Sequence, residues 1–495
     1  MNSDSSSTSP QAVPRTSLFR NWTSLIGLAI IAASVFSFCL LFLIDAFAHS
    51  SNPYVGVLTY LVAPTFLAFG AMLTVLGLIL RRRKLKVDAS LLPKIQIDLS
   101  RPRDRRLMGY FVGVSLVFLM IAALGSYHTY HFTESTTFCG QTCHKVMEPE
   151  LTAYLNGPHA RVSCTECHIG PGATWFVKSK LSGTYQVYAV MAKKYPRPIP
   201  TPISNLRPAQ ETCEQCHWPE KFYGNLDRTF SYYVGDQSNT AFNVRLLLKV
   251  GGGDATHGPV GGIHWHMNVG HKIQYIATDD PRQKIPWVRS VNKQGVVTEF
   301  RTAKFTNDPS QFTIRTMDCM DCHNRPAHVY QSPEAAVNLA MKLNRIDASI
   351  PWIKSNAVYV LTQPYKEETE AREKIATVLA KACGNHPKVS EAIETVQGIY
   401  KKNFFPHMNV NWKTYPNNIG HMIWSGCFRC HDGKHKTADG KQSIKASDCN
   451  ACHVILAQGV GADLQKLSAE GLKFEHPGGD LDPNPNCTEC HTGGL

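Results

Sequence analysis

Three unbroken apolar runs, Trp22–Ile44, Tyr54–Leu80 and Leu107–Tyr130, dominate the first part of the chain, and none contains a charged side chain. Each reaches the roughly 20 residues that a bilayer requires, so three transmembrane helices are predicted. Past His131 the pattern changes. Residues 132–235 are Pro-rich and irregular, as in Tyr195-Pro-Arg-Pro-Ile-Pro-Thr-Pro202. Short strand-like runs follow at Phe242–Val250 and Lys272–Ala277. A hairpin is predicted from Trp287–Val291 and Val296–Phe300, around Asn292-Lys-Gln-Gly295. Residues 331–405 read as helices: Pro333 after Ser332 opens one, and Gly384 with Pro387 interrupts the run before Lys388–Lys402.

Charge changes the picture next. The 495 residues carry 51 Lys+Arg against 38 Asp+Glu, a net charge of +13. Between Arg81 and Arg106 ten Lys/Arg meet three Asp, so more than half of the excess lies in one loop between two apolar runs. That is a topology signal and argues against a nucleic-acid partner. The positive-inside rule puts this loop and the Ser/Thr-rich N-terminus in the cytoplasm. Everything after about His131 is then outside the inner membrane. Ala46–Phe47–Ala48 resembles a signal-peptidase site, but the run before it is longer than a usual signal core, and cleavage would leave the topology unchanged.

Cysteine spacing supplies the chemistry. Six Cys-x-x-Cys-His copies follow the apolar runs: Cys164/Cys167/His168, Cys213/Cys216/His217, Cys319/Cys322/His323, Cys427/Cys430/His431, Cys449/Cys452/His453 and Cys487/Cys490/His491. A seventh, Cys139/Cys143/His144, has one extra residue between its cysteines. Two thiols about one turn apart can add to the two vinyl groups of a haem, and the next residue, His, then lies under the iron. Zinc ribbons do not require His after each pair, thioredoxin-like CxxC needs a βαβ setting, and disulfides leave the seven His unexplained. Seven haem c groups are expected, with Cys39 and Cys383 left as structural residues. Haem c is attached on the outer side of the inner membrane, so cysteine spacing and charge reach the same compartment separately. Residues 132–495 hold +6 of the net charge. With two propionates per haem the loaded outer part becomes about −8, which suits a basic soluble cytochrome as partner. No two His stand at matching depths in facing spans, so no b-type haem is expected.

Spacing also offers distal ligands. His264 and His266, in Gly261-Gly-Ile-His-Trp-His-Met, share one face if extended, and either could serve the second haem. His435 follows His431 by four, His421 precedes Cys427 by six, and His476 stands before the last motif. His257, His271 and His407 read as surface residues or as neighbours of ligands. His49, His128, His131 and His386 are set aside as ligands.

Several of these motifs together carry a resemblance. Phe138-Cys139 to His144-Lys145-Val146-Met147, Asn156-Gly157-Pro158-His159, Cys164 to Gly172, and Cys319 to His328 resemble the NapC/NirT family of membrane-anchored, quinol-oxidising cytochromes. The likeness covers residues 107–330, and the three further motifs fit the heptahaem branch from metal-respiring bacteria. It implies that His159 is the distal ligand of the fourth haem and His328 that of the third. It also implies that Met147 can bind the first iron. Met147 lies three residues past His144 rather than two, which with the wider cysteine spacing leaves that ligation open. Trp175-Phe-Val-Lys-Ser-Lys180 resembles the quinol-side stretch of the family, so Lys178 and Lys180, with His128, His131, Glu134 and Glu148, are candidates to handle quinol protons.

The expected fold class is a membrane-anchored multihaem cytochrome c with three transmembrane helices, a haem-packed, mainly α and irregular periplasmic part, and a small β insert. The expected organisation is a cytoplasmic tail (1–21) and a membrane region (22–131) with the basic loop 81–106. A tetrahaem module (132–330) with its β insert (236–315) follows, then a haem-free helical spacer (331–405) and a trihaem module (406–495). The expected function is oxidation of menaquinol from the membrane quinol pool, with electrons passed to a soluble periplasmic c-type cytochrome. A terminal nitrite or hydroxylamine reductase would need an iron with an open site, and the Cys-x-x-Cys-Lys motif of such enzymes is absent. A membrane docking subunit of a respiratory complex is the third reading, for which one span would suffice.

Overall fold

The computed structural model describes residues 21–47, 58, 62–85, 99–142, 144–170, 172–203, 206–252, 261–267, 271–445, 449–477, 479 and 487–494. Residues His49, Lys86, Lys94, Cys143 and His257 lie outside that set, as do the side chains of His128, His144 and Cys449. The chain divides into two compact units, one of residues 1–135 and 170–181 and one of residues 136–169 and 182–495.

The first unit contains α1 (Trp22–Phe47), α2 (Ala63–Leu85) and α3 (Pro102–Glu134). Among the described residues two segments, Trp22–Ile44 and Ala63–Arg81, are long and apolar enough to cross a bilayer. Of the second expected span, Tyr54–Leu80, the part from Ala63 onward is helical. The third expected span falls within the 33-residue helix α3. Helices α1 and α2 pack antiparallel along a seam of small residues. Ser24 and Thr74 are buried in it, and a Cβ on Gly27, Gly70 or Gly77 would overlap the facing helix. Asn21 Nδ2 donates to the Gly77 carbonyl at 2.8 Å and closes one end. Small residues let apolar helices approach closely where lipid offers no hydrophobic drive for association. The outward faces carry exposed Leu25, Phe36, Phe66 and Met72.

In the second unit α4 (His144–Leu155) follows the first cysteine motif, and α5 (Ala173–Met191) begins in the first unit and ends here. Two antiparallel sheets come next. One holds β1 (Leu226–Tyr233), β2 (Ala241–Leu248) and β7 (His453–Gly459), in that order. The other has the order β5-β4-β3-β6, with β3 (Lys272–Ile276), β4 (Trp287–Val291), β5 (Val297–Arg301) and β6 (Arg315–Thr316). The predicted hairpin is therefore present, with Trp287 opposite Arg301 and Val291 opposite Val297. Gly295 takes the positive φ of its turn. Strand β1 forms within a stretch that reads as irregular, because its Leu-Asp-Arg-Thr-Phe-Ser-Tyr-Tyr pattern pairs with β2 over its whole length. Strand β7 comes from the last part of the chain yet pairs with β2, Leu248 opposite His453. One sheet thus joins residues assigned to two separate haem modules in the sequence reading.

Residues 333–403 form four helices: α6 (Pro333–Lys342), α7 (Ile353–Thr362), α8 (Glu368–Cys383) and α9 (Val389–Asn403). The start at Pro333 is capped as predicted, with Ser332 Oγ accepting from the Ala335 amide. Gly384, at φ 61, ends α8. These helices enclose the largest apolar core of the unit, with Val337, Ile353, Val358, Leu361, Ile375, Leu379 and Val396 fully buried. Haem-free sequence has to bury its own side chains, and here it does. Lys354 is buried in this core, its Nζ donating to the Glu334 carbonyl at 3.1 Å and to Asn338 Oδ1 at 2.7 Å. Burial pulls its pKa down to about 8, with Glu334 acting the other way.

Replacing Leu379 with Ala is expected to cost about 2–5 kcal/mol in denaturant unfolding. Lys354 holds fewer protons folded than unfolded, so its destabilising effect is complete below pH 8 and fades as pH rises toward its ordinary value. Unfolding of the parent and of Lys354→Met from pH 7 to pH 10.5 should show the variant's advantage shrinking with pH. A constant difference would contradict this assignment.

Candidate haem-binding site

Most attachment histidines end or follow a single helical turn. Cys164–His168, Ala209–Cys213, Cys319–Cys322, Cys449–Cys452 and Cys487–Cys490 are such helices. The turn at Cys319 is fixed by a capping box, Asp318 accepting from the Met320 amide and Asp321 from the Asp318 amide. At the fifth motif Gly426, with φ 46, packs so close to the Gly420 carbonyl that a Cβ would overlap it.

The fold sets six of these histidines opposite six others. His168 faces His328 with ring centres 6.2 Å apart, and His217 faces His159 at 6.2 Å. His323 faces His264 at 6.2 Å and His431 faces His266 at 5.8 Å. His453 faces His421 at 6.2 Å and His491 faces His476 at 6.0 Å. Two imidazoles on opposite sides of one metal, each with a bond of about 2 Å, stand roughly 6 Å apart between ring centres. In every pair one ring belongs to a Cys-x-x-Cys-His motif. The residues present therefore fit haem held by two histidines.

Four placements differ from the sequence reading. His159 faces the third motif rather than the fourth, and His328 faces the second rather than the third. His264 and His266 do not share a face, because Ile263–Met267 is a 3₁₀ turn and not a strand. Side chains two apart on such a turn point in different directions, and the two rings meet His323 and His431. His435 meets no attachment histidine. It is buried, with Nδ1 2.8 Å from Asp432 Oδ1 and Nε2 2.6 Å from the Ile285 carbonyl, so both ring nitrogens are occupied by protein.

Burial lowers the pKa of His264, His328, His421, His431 and His453, which keeps the imidazoles neutral as metal ligation requires. Ring orientation comes from Nδ1. His159 donates to the Pro326 carbonyl at 3.0 Å, His264 to Val250 at 2.7 Å and His266 to Ile263 at 2.8 Å. Gly252, at φ 136, lets the Val250–Gly252 segment that follows β2 pass against the backbone of His264.

Neighbouring motifs lie together. The Cys164 side chain lies beside Cys139, and Cys213 beside Cys319. Cys167 lies near Cys216, and Cys322 near Cys427. Arg429, inside the fifth motif, donates to the Asp321 carbonyl inside the fourth at 2.6 Å. Asp321 itself accepts from Tyr275 Oη and from Arg282 at 3.2 Å. The first five attachment sites thus follow one another in space in chain order. Phe428 stacks on His421 at 4.3 Å, which brings the sixth site beside the fifth.

The proton-handling candidates are spread over both units. Lys178 lies over the Trp175 ring at 4.7 Å and Lys180 over Phe176 at 5.1 Å, while His131 meets the edge of Tyr127 at 4.4 Å. Those three belong to the first unit. Glu148, in the second, is half-buried with its Oε2 3.4 Å from Nε2 of His407. Met147 is half-buried on α4, one turn past His144. His407 was legible only as a surface histidine, since its contact with Glu148 spans more than half of the unit.

Residues 101–198 match the model of the N-terminal region of the NapC/NirT cytochrome c family. The chain is 43% identical over 491 residues, 95% of each protein, to the cytochrome c-type protein ImcH of Geobacter sulfurreducens (strain ATCC 51573 / DSM 12127 / PCA). No solved structure matches. The chain is therefore a membrane-anchored electron-transfer cytochrome c that belongs to the NapC/NirT family and is of the ImcH type.

Proposed function

We propose that this protein oxidises menaquinol at the outer face of the inner membrane and passes the electrons to a soluble periplasmic cytochrome. The observation that carries this reading is the set of six opposed histidine pairs, spaced at 5.8–6.2 Å and each built on a haem-attachment motif. Together with Cys139, Cys143 and His144 they support seven haem c groups. Haem c, once bound, supplies one-electron oxidation and reduction. His159, His264, His266, His328, His421 and His476 are the proposed distal ligands, Met147 is the proposed partner of His144, and His435 is left out because protein groups occupy both its nitrogens. A ligand on both sides at six sites favours electron transfer over a terminal reductase, which needs an open coordination position.

A third membrane crossing is proposed on α3, which ends at Glu134, just before Cys139. The basic loop 81–106 then lies in the cytoplasm and all seven motifs in the periplasm. Each quinol releases two electrons and two protons. Glu148 is suited to accept a proton at Oε2, and His407, 3.4 Å away and 40% exposed, to pass it to the periplasm. Lys178, Lys180, His128 and His131 are proposed to bind and orient the quinol head group. From the first motif to the fifth, successive attachment sites lie side by side and provide a continuous path for electrons within the second unit.

Stopped-flow mixing of the oxidised protein with a menaquinol analogue should give rapid growth of the reduced haem band near its α maximum. Lys180→Ala or Glu148→Gln should slow that growth at least tenfold. Absence of reduction by quinol, with turnover of nitrite or hydroxylamine from an artificial donor, would contradict the proposal.

Spin state tests the ligand set separately. His328→Ala should turn one low-spin haem high-spin. His435→Gln should leave every haem low-spin and lower stability by about 1–3 kcal/mol, because buried partners lose a hydrogen bond. Electron paramagnetic resonance of the two variants reads this difference directly.

A further inference from the structure

The Nδ1 atoms of the paired histidines fall into distinct environments. His159, His264 and His266 donate to neutral backbone carbonyls. His328 is different: its Nδ1 lies 3.0 Å from the Glu150 carbonyl and 3.1 Å from the Glu150 carboxylate. That carboxylate is held 3.4 Å from Arg325 Nη2, and Arg325 Nε donates to the His328 carbonyl at 2.8 Å. The guanidinium lies over the rings of Tyr330 at 5.3 Å and Tyr415 at 4.4 Å, so the group is fixed on all sides. At the other extreme, the Nδ1 atoms of both His421 and His453 are buried and meet no hydrogen-bond acceptor on any other described residue. The His476/His491 pair is intermediate, with Glu334 Oε2 3.8 Å from His491 Nδ1.

An anionic acceptor at Nδ1 pushes electron density toward Nε2, and a more basic ligand favours the ferric over the ferrous iron. A buried N–H without an acceptor does the reverse, and burial itself favours the state of lower charge. Resting on the haem-binding reading above, we infer that Glu150 is a positioning residue that lowers the potential of the second haem, while the unassisted His421/His453 pair makes the sixth the highest of the six paired haems. An electron leaving the second site oxidises it and reduces its neighbour, with no proton required, and the sixth site collects electrons ahead of the partner. Glu334 sets the seventh below the sixth.

The backbone carbonyl of Glu150 accepts from His328 whatever the side chain is, so Glu150→Gln removes the charge and keeps the ring in place. Potentiometric titration of the detergent-solubilised holoprotein, followed by paramagnetic resonance, reads each low-spin haem. In Glu150→Gln one haem should have its reduced-to-oxidised ratio raised about tenfold at fixed potential, about 59 mV for one electron. The others should stay put, and Glu150→Asp should recover part of the shift. In His421→Ala the low-spin signal that disappears should be the one with the highest midpoint. Unchanged midpoints in Glu150→Gln, or loss of a low-midpoint signal in His421→Ala, would overturn the inference while leaving the ligand set intact. Fewer than six bis-histidine signals in the unaltered protein would overturn both.

Discussion

A haem iron with two imidazole ligands demands two rings on opposite faces of one flat macrocycle, about 6 Å from centre to centre. Six histidine pairs of the second unit match that demand. The attachment histidine is local to its two cysteines, but the opposing one comes from elsewhere: His328 for His168, His264 for His323, His266 for His431. With haem bound, such a pair would act as a clamp between distant parts of the chain. Such clamps would fix the path of irregular, Pro-rich backbone that has few long runs of regular structure.

Where haem motifs are absent, ordinary packing takes over. The four helices between Pro333 and Asn403 bury Val337, Ile353, Leu361, Ile375 and Leu379 against one another. They are more than a spacer. Glu334 on the first of them lies 3.8 Å from His491, and Trp412 Nε1 donates to the Thr492 carbonyl at 3.0 Å. The last motif is thus held against a rigid apolar core. Strand β7, which begins at the histidine of the sixth motif, is held instead by β2, whose continuation accepts from His264. Two haem regions that look separate in sequence share that strand.

The membrane unit follows different physics. Apolar length makes α1 and α2 candidates to cross a bilayer, and the Gly27, Gly70 and Gly77 seam makes them a close pair. Their antiparallel packing brings Trp22 and the Arg81–Arg83 cluster to the same end, in keeping with the charge asymmetry of the sequence.

Much could be read without the fold. Covalent attachment is a local reaction, so Cys spacing and the following His point directly to candidate haem-binding residues. Helix caps at Ser332 and Gly384 and the turn at Gly295 are equally local, because they depend on dihedral preference and on donors three residues away. The pairing of ligands was not legible. Candidates for the opposing side could be listed by type, but the family resemblance assigned His159 and His328 to motifs other than those they face, and spacing treated His264 with His266 as equivalents. The 3₁₀ turn separates those two, and only its tertiary surroundings select that turn over an extended strand. His435 shows the same limit: four residues past an attachment histidine, it is captured by Asp432 and Ile285. Sequence determines which side chains can bind iron. The tertiary structure decides which two meet, because a ligand pair is a contact between segments far apart in the chain.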